Sequence, residues 1–493
     1  MPYLLKHLRQ GSQHSLVLVD NTTTLPVLFG SIYSTRKLSL LRFRTQKKEL
    51  LSLKYFYVFW LKKTGKTFDY SLYESHYDIA LFIPELNTFF HYLLSKQHLD
   101  AQKHLELISF IGQVTHQAHN NYTGHVRAVA KFLFYLNQRY MNSRYQKLLA
   151  YDLNKIRDWN TQTLKSAIRE FSKIPAQSTL KNGQYKSITK EQMIQLNNML
   201  LPSSPDFFDD KSGKYFNAVD NLFNPFNSLF LQYRTFLIHR LMFNYGLRVG
   251  EILLLTTDSL GTSQPDSHGK THYLLSVQNL PDGFDDPRSL PITLKNEYSS
   301  RIIELDKDDY HYLIIFVTSL RLPLFSSISQ KDYPPIDHGF LFITNRGQCQ
   351  PLTYDSIRKI YQKIDNKFIS LYPNYRKGPS YLQMIGLTPH VGRHTWAFTT
   401  LEFIYHKLMN EELFLKKEYG ISSRMKSLLD AAVEQLRILG GWSVTSKMPY
   451  KYARRFVSRI ANESNLKRTK IDNHHKKILE PYNNNEGDYD PFI

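Results

Sequence analysis

The chain has 493 residues, of which 63 are Lys or Arg and 43 are Asp or Glu, giving a formal charge of +20 and a pI near 9.5. That length predicts roughly two to four domains. The hydrophobic content, 42%, is enough for real cores, and with no apolar run of about 18 residues no membrane span is expected. Met1 to Arg9 lack a signal-peptide core and cleavage site. The single cysteine, Cys349, has no internal disulfide partner, in keeping with a reducing cytoplasm. The basic excess points to a polyanion, most often nucleic acid.

In chain order, residues 12–40 read as two short extended pieces, His14–Asp20 and Leu25–Phe29, parted by turn residues Asn21–Thr24. From Thr45 the period becomes helical: Leu50, Leu53, Tyr57, Trp60 and Leu61 form a stripe edged by Lys47, Lys48, Lys54, Lys62 and Lys63. Further apolar helices are predicted at 83–94, 105–115 and 126–140, the last carrying Arg127 and Lys131. A polar stretch with Pro175 and Gly183 reads as a linker over 173–186. Beyond it Thr189 and Gln192 have capping-box spacing, with Ile188 and Met193 as a hydrophobic staple. The expected division is an N-terminal extension, 1–44; a helical domain, 45–172; the linker; a second domain, 187–462; and a tail, 463–493. Stretches 202–213 and 321–338 read as surface loops, and 483–493 as a polar, acidic end.

The chemistry concentrates in the second domain. A long apolar helix, Leu229–Phe243, runs into Tyr245-Gly-Leu-Arg-Val-Gly-Glu, where Gly246 fits the position that stops a helix. Arg248 follows that break. An arginine between two packed helices is either an ion-pair partner, with Glu251 at hand, or a ligand for an anion. At 290–305 alternating apolar residues around a polar tip read as a hairpin with Lys295 near its turn. In Leu387-Thr-Pro-His-Val-Gly-Arg-His-Thr-Trp, Thr388 is a good N-cap and Pro389 suits the first helical position. His390 and Arg393 then share one face of the first turns, where free N–H groups favour an anion. Gly392 is a poor helix former there, which close approach by another backbone or a ligand would excuse. His390 and His394 are four apart, but Val391 stands where a zinc-protease helix needs Glu, so zinc is not expected, and His394 reads as a packed histidine. Last come Leu439-Gly-Gly-Trp442 and Tyr450-Lys-Tyr452-Ala-Arg.

Taken in order, Arg, Lys, His-x-x-Arg, Trp and Tyr resemble the tyrosine recombinases of the phage-integrase family. The resemblance covers residues 187–460 by motif and 45–172 more weakly. Two features depart from the family: the chain between His394 and Gly440 is longer, and Gly-Trp replaces the usual His after Leu-Gly. The resemblance implies a mainly α fold with a small antiparallel β-sheet (α+β). A helical core-binding domain and a catalytic domain would form a C-shaped clamp on double-stranded DNA, four protomers assembling on two sites. Lys47, Lys48, Lys54, Arg127 and Lys131 become candidate DNA contacts.

It also implies a metal- and ATP-independent strand transferase without cofactor, bacterial and cytoplasmic, cutting through a 3′-phosphotyrosyl intermediate. Integration, excision, transposition and dimer resolution share this chemistry. Arg248 and Arg393 would clamp the phosphate bidentately. The tyrosine, with an ordinary pKa of about 10, needs activation. His390 would take or shuttle its proton, Lys295 would protonate the departing 5′ oxygen, and Trp442 would donate its indole N–H. Glu251 would orient the site from behind. Tyr452 is the expected nucleophile by its place in Tyr-Ala-Arg, while counting from Gly441 gives Tyr450. A type IB topoisomerase-like enzyme and a non-catalytic DNA-binding relative are the alternatives.

Overall fold

The computed structural model describes residues 2–10, 13–95, 116–144, 149–173, 187–203, 207–209, 214–216, 220–281, 283–288, 292–328, 336–376, 386–419 and 425–471. The expected helix at 105–115, the linker at 174–186 and the tail beyond 471 lie outside them. The described residues are mainly helical, with three small antiparallel sheets. No described helix is long and apolar enough to cross a membrane. Contacts divide the chain into a unit at Met1–Asn182 (with Ser289–Pro291) and a unit at Gly183–Arg288 and Ile292–Ile493.

The first unit opens with a hairpin, β1 (Tyr3–Gln10) against β2 (Gln13–Asp20). The second strand contains the expected extended piece His14–Asp20, and the first pairs with it along its whole length. Leu25–Phe29 is not a strand: Pro26 makes an isolated bridge to Val19, and α1 starts at Leu28 (Leu28–Tyr33). The Leu28 N–H donates to Asp69 Oδ2 at 2.7 Å, so a carboxylate from 41 residues away caps this short helix, a contact local pattern does not reveal. Next come α2 (Phe43–Thr64), α3 (Phe68–Glu74), α4 (Glu85–Leu94), α5 (His116–Arg144) and α6 (Ala150–Lys173). Tyr3, Leu16 and Leu18 share one core with Leu50, Leu53, Phe56 and Tyr57 of α2 and Phe132 and Leu136 of α5. Tyr3, Leu16, Leu18, Val27, Phe29, Tyr33 and Leu38 thus tie the described N-terminal residues into the core of the helices.

The second unit begins at α7 (Lys190–Leu200), and here the capping box forms as expected: Gln192 N–H donates to Thr189 Oγ1 at 3.1 Å and Thr189 N–H to Gln192 Oε1 at 3.0 Å. The stretch 202–213, read as a loop, contains β3 (Phe207–Asp209), paired with β4 (Lys214–Phe216). Then come α8 (Leu229–Phe243), with the expected bounds, and the single turn α9 (Val249–Ile252). A three-stranded sheet follows, β5 (Leu260–Thr262), β6 (Tyr273–Val277) and β7 (Arg301–Leu305). β7 pairs with β6, not with residues 292–294, which are irregular, so the predicted 290–305 hairpin is instead a long connection running into β7.

After β7 the chain is helical from α10 (Lys307–Ile315) through a π-wound stretch to α11 (Leu322–Ile328), so 321–328 is not a loop. Buried Arg321 explains why: it donates to the Phe340 carbonyl at 2.9 Å and pairs with Asp337, anchoring a segment whose polarity reads as surface. α12 (Tyr354–Leu371), α13 (Pro389–Tyr419), α14 (Met425–Leu439) and α15 (Met448–Ile471) complete the unit. Between His394 and Gly440 the described residues belong to α13 and α14, which pack on each other. α15 runs through the expected boundary at 462 without a break.

Candidate active site

The site lies where two apolar clusters of the second unit meet. One holds α8, Leu247 and Ile252; the other joins α13, α14 and α15 through Trp396, Leu401, Leu436, Trp442 and Phe456. Gly246 makes the junction possible. Its φ of +67° lets the chain reverse after α8, and a Cβ there would lie 2.2 Å from the Trp396 ring. What approaches Gly392 is a side chain: the Phe243 ring would stand 2.7 Å from a Cβ there.

Arg248, left open between ion pair and anion ligand, makes the ion pair and keeps donors to spare. Its guanidinium bonds Glu251, its N–H reaches Glu251 Oε2 at 3.0 Å, and it donates to Ser299 Oγ and the Gly441 carbonyl, both at 3.2 Å. Its side chain stays 18% exposed. Arg393 is more deeply buried and donates to the carbonyls of Gly246 and Gly440. Its guanidinium carbon lies 4.3 Å from the centre of the Trp442 ring, and that of Arg248 lies 5.8 Å from it. The two arginines thus converge on one indole, which in turn stacks on Trp396 at 6.1 Å. Trp442 is a platform under the guanidiniums.

Arg248 and Arg301 pair with one carboxylate, and the charge of Arg393 acts on it as well. Glu251 is 2% exposed, and Arg301 Nη2 bonds its Oε2 at 3.0 Å. Burial raises the Glu251 pKa, but the charges of Arg301, Arg393 and Arg248 outweigh it and hold the carboxyl below its ordinary value. Burial first, and then the charge of Arg248, push the Arg393 guanidinium down to about 9, still protonated at neutral pH. The local balance of three positive charges against one negative is unfavourable unless an anion joins it.

His390 starts α13 on its exposed side, and its ring meets that of His394 edge-on at 4.3 Å. His394 is buried and touches the tyrosine: Tyr452 Oη and His394 Nδ1 are 2.9 Å apart. Tyr452 is 5% exposed and its ring centre lies 6.0 Å from that of Trp442. Tyr450 is 58% exposed, on the other side of α15. The structure therefore brings Arg248, Glu251, Arg393, His394, Trp442 and Tyr452 together, with His390 at the edge. Lys295 is exposed in the β6–β7 connection, next to Asn296. Sequence reasoning gave no role to Arg301, Ser299 or Trp396, whose only signal was their nearness to named motifs. Among the described residues no group of three or more His, Cys, Asp or Glu side chains is arranged to hold a metal ion.

In the first unit, Lys47 and Lys48 are exposed on α2 and Lys54 is half-buried. Arg127 and Lys131 share a face of α5; Lys131 pairs with Glu49 at 3.3 Å, and Arg127 donates to the Thr123 carbonyl at 3.4 Å.

No family model and no curated protein matches the chain. Solved structures to which the chain is similar include an integrase and a site-specific recombinase. One is the Tn1549 transposon integrase, residues 82–397, in complex with circular intermediate DNA: 15% identity, 71% of this chain and 92% of that one covered, TM-score 0.31. The other is the XerH site-specific recombinase. Its pre-cleavage complex with difH gives 14% identity, 76% and 95% coverage and a TM-score of 0.30. Its post-cleavage complex with palindromic difH gives 13%, 78% and 95%, and 0.34. The function proposed below rests on the geometry of the site.

Proposed function

We propose that the second unit cleaves and rejoins DNA strands as a site-specific recombinase, through a phosphotyrosyl bond on Tyr452. The observation that carries this reading is three guanidiniums around one carboxylate, beside a tyrosine hydroxyl already bonded to a histidine. A backbone phosphate supplies the missing negative charge. The donors that Arg248 and Arg393 do not spend on protein acceptors meet its non-bridging oxygens, and the pentavalent transition state, carrying more charge, is held more tightly than the ground state.

Tyr452 Oη attacks phosphorus as the bond from phosphorus to the 5′ oxygen breaks. The tyrosine proton passes to His394 Nδ1, with His390 as the exposed relay. The 5′ oxygen takes a proton from the Lys295 ammonium and leaves as a hydroxyl. Attack by another 5′-hydroxyl on the phosphotyrosine reverses these steps and joins strands. Glu251 holds Arg248 in place throughout. Double-stranded DNA is the partner, with Lys47, Lys48, Lys54 and Arg127 contributing phosphate contacts from the first unit, and with four copies assembling on two sites.

The test uses full-length protein and duplexes selected from a random-sequence pool by binding to it, nicked so that cleavage releases a short fragment and traps the enzyme. A covalent protein–DNA band on a denaturing gel, at one mapped phosphate, is the expected result. Tight, site-selective binding with no covalent product at any nick position would establish a non-catalytic DNA-binding protein instead. Relaxation of supercoiled plasmid without strand exchange between two sites would indicate a type IB topoisomerase-like activity.

A further inference from the structure

We infer that Asn296, Ser299 and Arg301 form a positioning relay that seats the Lys295-bearing connection against Arg248 and Glu251; the inference rests on the strand-cleaving reading above. The connection between β6 and β7 is long, and Lys295 sits in it, exposed, with no strand among the described residues between β6 and the lysine. A general acid on such a segment needs fixing, because proton transfer requires the ammonium within hydrogen-bond reach of the departing oxygen.

The connection is fixed at both ends of the lysine. On one side the Leu294 N–H donates to Asn279 Oδ1 at 2.8 Å, and Leu294 itself is buried in the main core. On the other side Asn296 opens a tight turn, Glu297–Ser299. Its Oδ1 accepts from Ser299 Oγ at 2.8 Å, and Ser299 Oγ accepts from Arg248 Nη1 at 3.2 Å. Ser299 is fully buried. Its hydroxyl therefore passes one bond from the phosphate-binding arginine to the residue beside the lysine, using its single proton toward Asn296.

Arg301 locks the far end. It donates through Nη1 to the Ser299 carbonyl at 2.9 Å and through Nη2 to Glu251 Oε2 at 3.0 Å. Its side chain is 11% exposed, and its Nε is buried with no hydrogen-bond partner in the structure. The guanidinium bridges two groups that must keep register: the carboxylate that aims Arg248 and the turn that carries Lys295. Binding of phosphate at Arg248 and delivery of the proton by Lys295 are thereby mechanically linked.

The relay predicts a leaving-group signature. Once the wild-type cleavage phosphate is mapped, a second duplex is made with sulfur in place of its 5′-bridging oxygen. The thiolate leaves without a proton, its conjugate acid being near pKa 8.5 rather than that of an alcohol. On the oxygen duplex, Ser299→Ala, Asn296→Ala and Arg301→Lys should each slow covalent-complex formation by about 10- to 100-fold, a fraction of what a general acid contributes. Lys295→Ala should be slower still. On the sulfur duplex all four should return to within a few-fold of wild type, whereas Arg248→Lys should not. Ser299→Ala removes one atom and leaves the fold intact, so a folding failure of Arg301→Lys does not spoil the test. Equal defects on both duplexes would overturn the relay and make these residues supports of Arg248 alone; no defect on either would overturn it as well. A wild-type protein that cleaves neither duplex would instead remove the strand-cleaving reading.

Discussion

Replacing Glu251 by Gln probes the electrostatic construction of the site. The side chain keeps its shape and one accepting oxygen but loses the charge that faces Arg248, Arg301 and Arg393. Removing one partner of a buried ion pair costs about 3–5 kcal/mol. Arg248 retains some access to water, so the lower end, about 3 kcal/mol, is expected. In a unit of about 300 residues that corresponds to a fall of roughly 5 °C in its thermal midpoint. The pH dependence has a definite sign. The carboxyl of Glu251 lies below its ordinary pKa in the folded protein, so the unfolded chain takes up the proton first. The stabilisation is complete above the unfolded value near 4.3 and is lost as pH falls through the folded one. The gap between wild type and Glu251→Gln should therefore stay constant from about pH 5 upward and close on the acid side. Sulfate should raise the midpoint of the variant more than that of wild type, since three cations are then without a counter-charge. Calorimetry across pH with and without sulfate measures all three. A loss under about 1 kcal/mol, unchanged toward acid pH, would refute the reasoning.

Lysine at either arginine keeps the charge but loses the planar fork. Arg248→Lys and Arg393→Lys should each cut the single-turnover cleavage rate by about 100-fold or more while duplex affinity changes by only a few-fold. Affinity for any duplex, followed by fluorescence anisotropy, should fall steeply with salt as counterions are released; a flat response would contradict phosphate contacts across both units. Gly246→Ala combines a left-handed backbone with a collision against Trp396 and should destabilise by about 2–4 kcal/mol in urea titrations.

Much of the site was legible because its members sit on local motifs. The helix Leu229–Phe243, the turn at Gly246, the Arg248–Glu251 pair and the helix opening at Pro389 all follow from spacing within about ten residues. What sequence missed depends on distant partners. Arg301 looks like any strand arginine until β7 brings it to Glu251, 50 residues earlier. His394 reads as packing because one helix face does not disclose that Tyr452, 58 residues on, meets its Nδ1 rather than His390. In the fold the same limit applies: Asp69 caps α1 and buried Arg321 ties Asp337, and neither long-range bond leaves a periodic trace. The Lys295 hairpin failed for a related reason. Residues 290–305 alternate as paired strands do, but β6 at 273–277 is the strand that pairs with β7.

The identity of the attached residue tests the central claim most directly. Trapped protein–DNA complexes are digested and the peptide carrying the nucleotide adduct is sequenced by mass spectrometry, for wild type and for Tyr452→Phe and Tyr450→Phe. The buried hydroxyl beside His394 and Trp442 predicts the adduct on Tyr452, its loss in Tyr452→Phe with site binding retained, and undiminished trapping in Tyr450→Phe. An adduct on Tyr450, or trapping that survives Tyr452→Phe, would contradict the account.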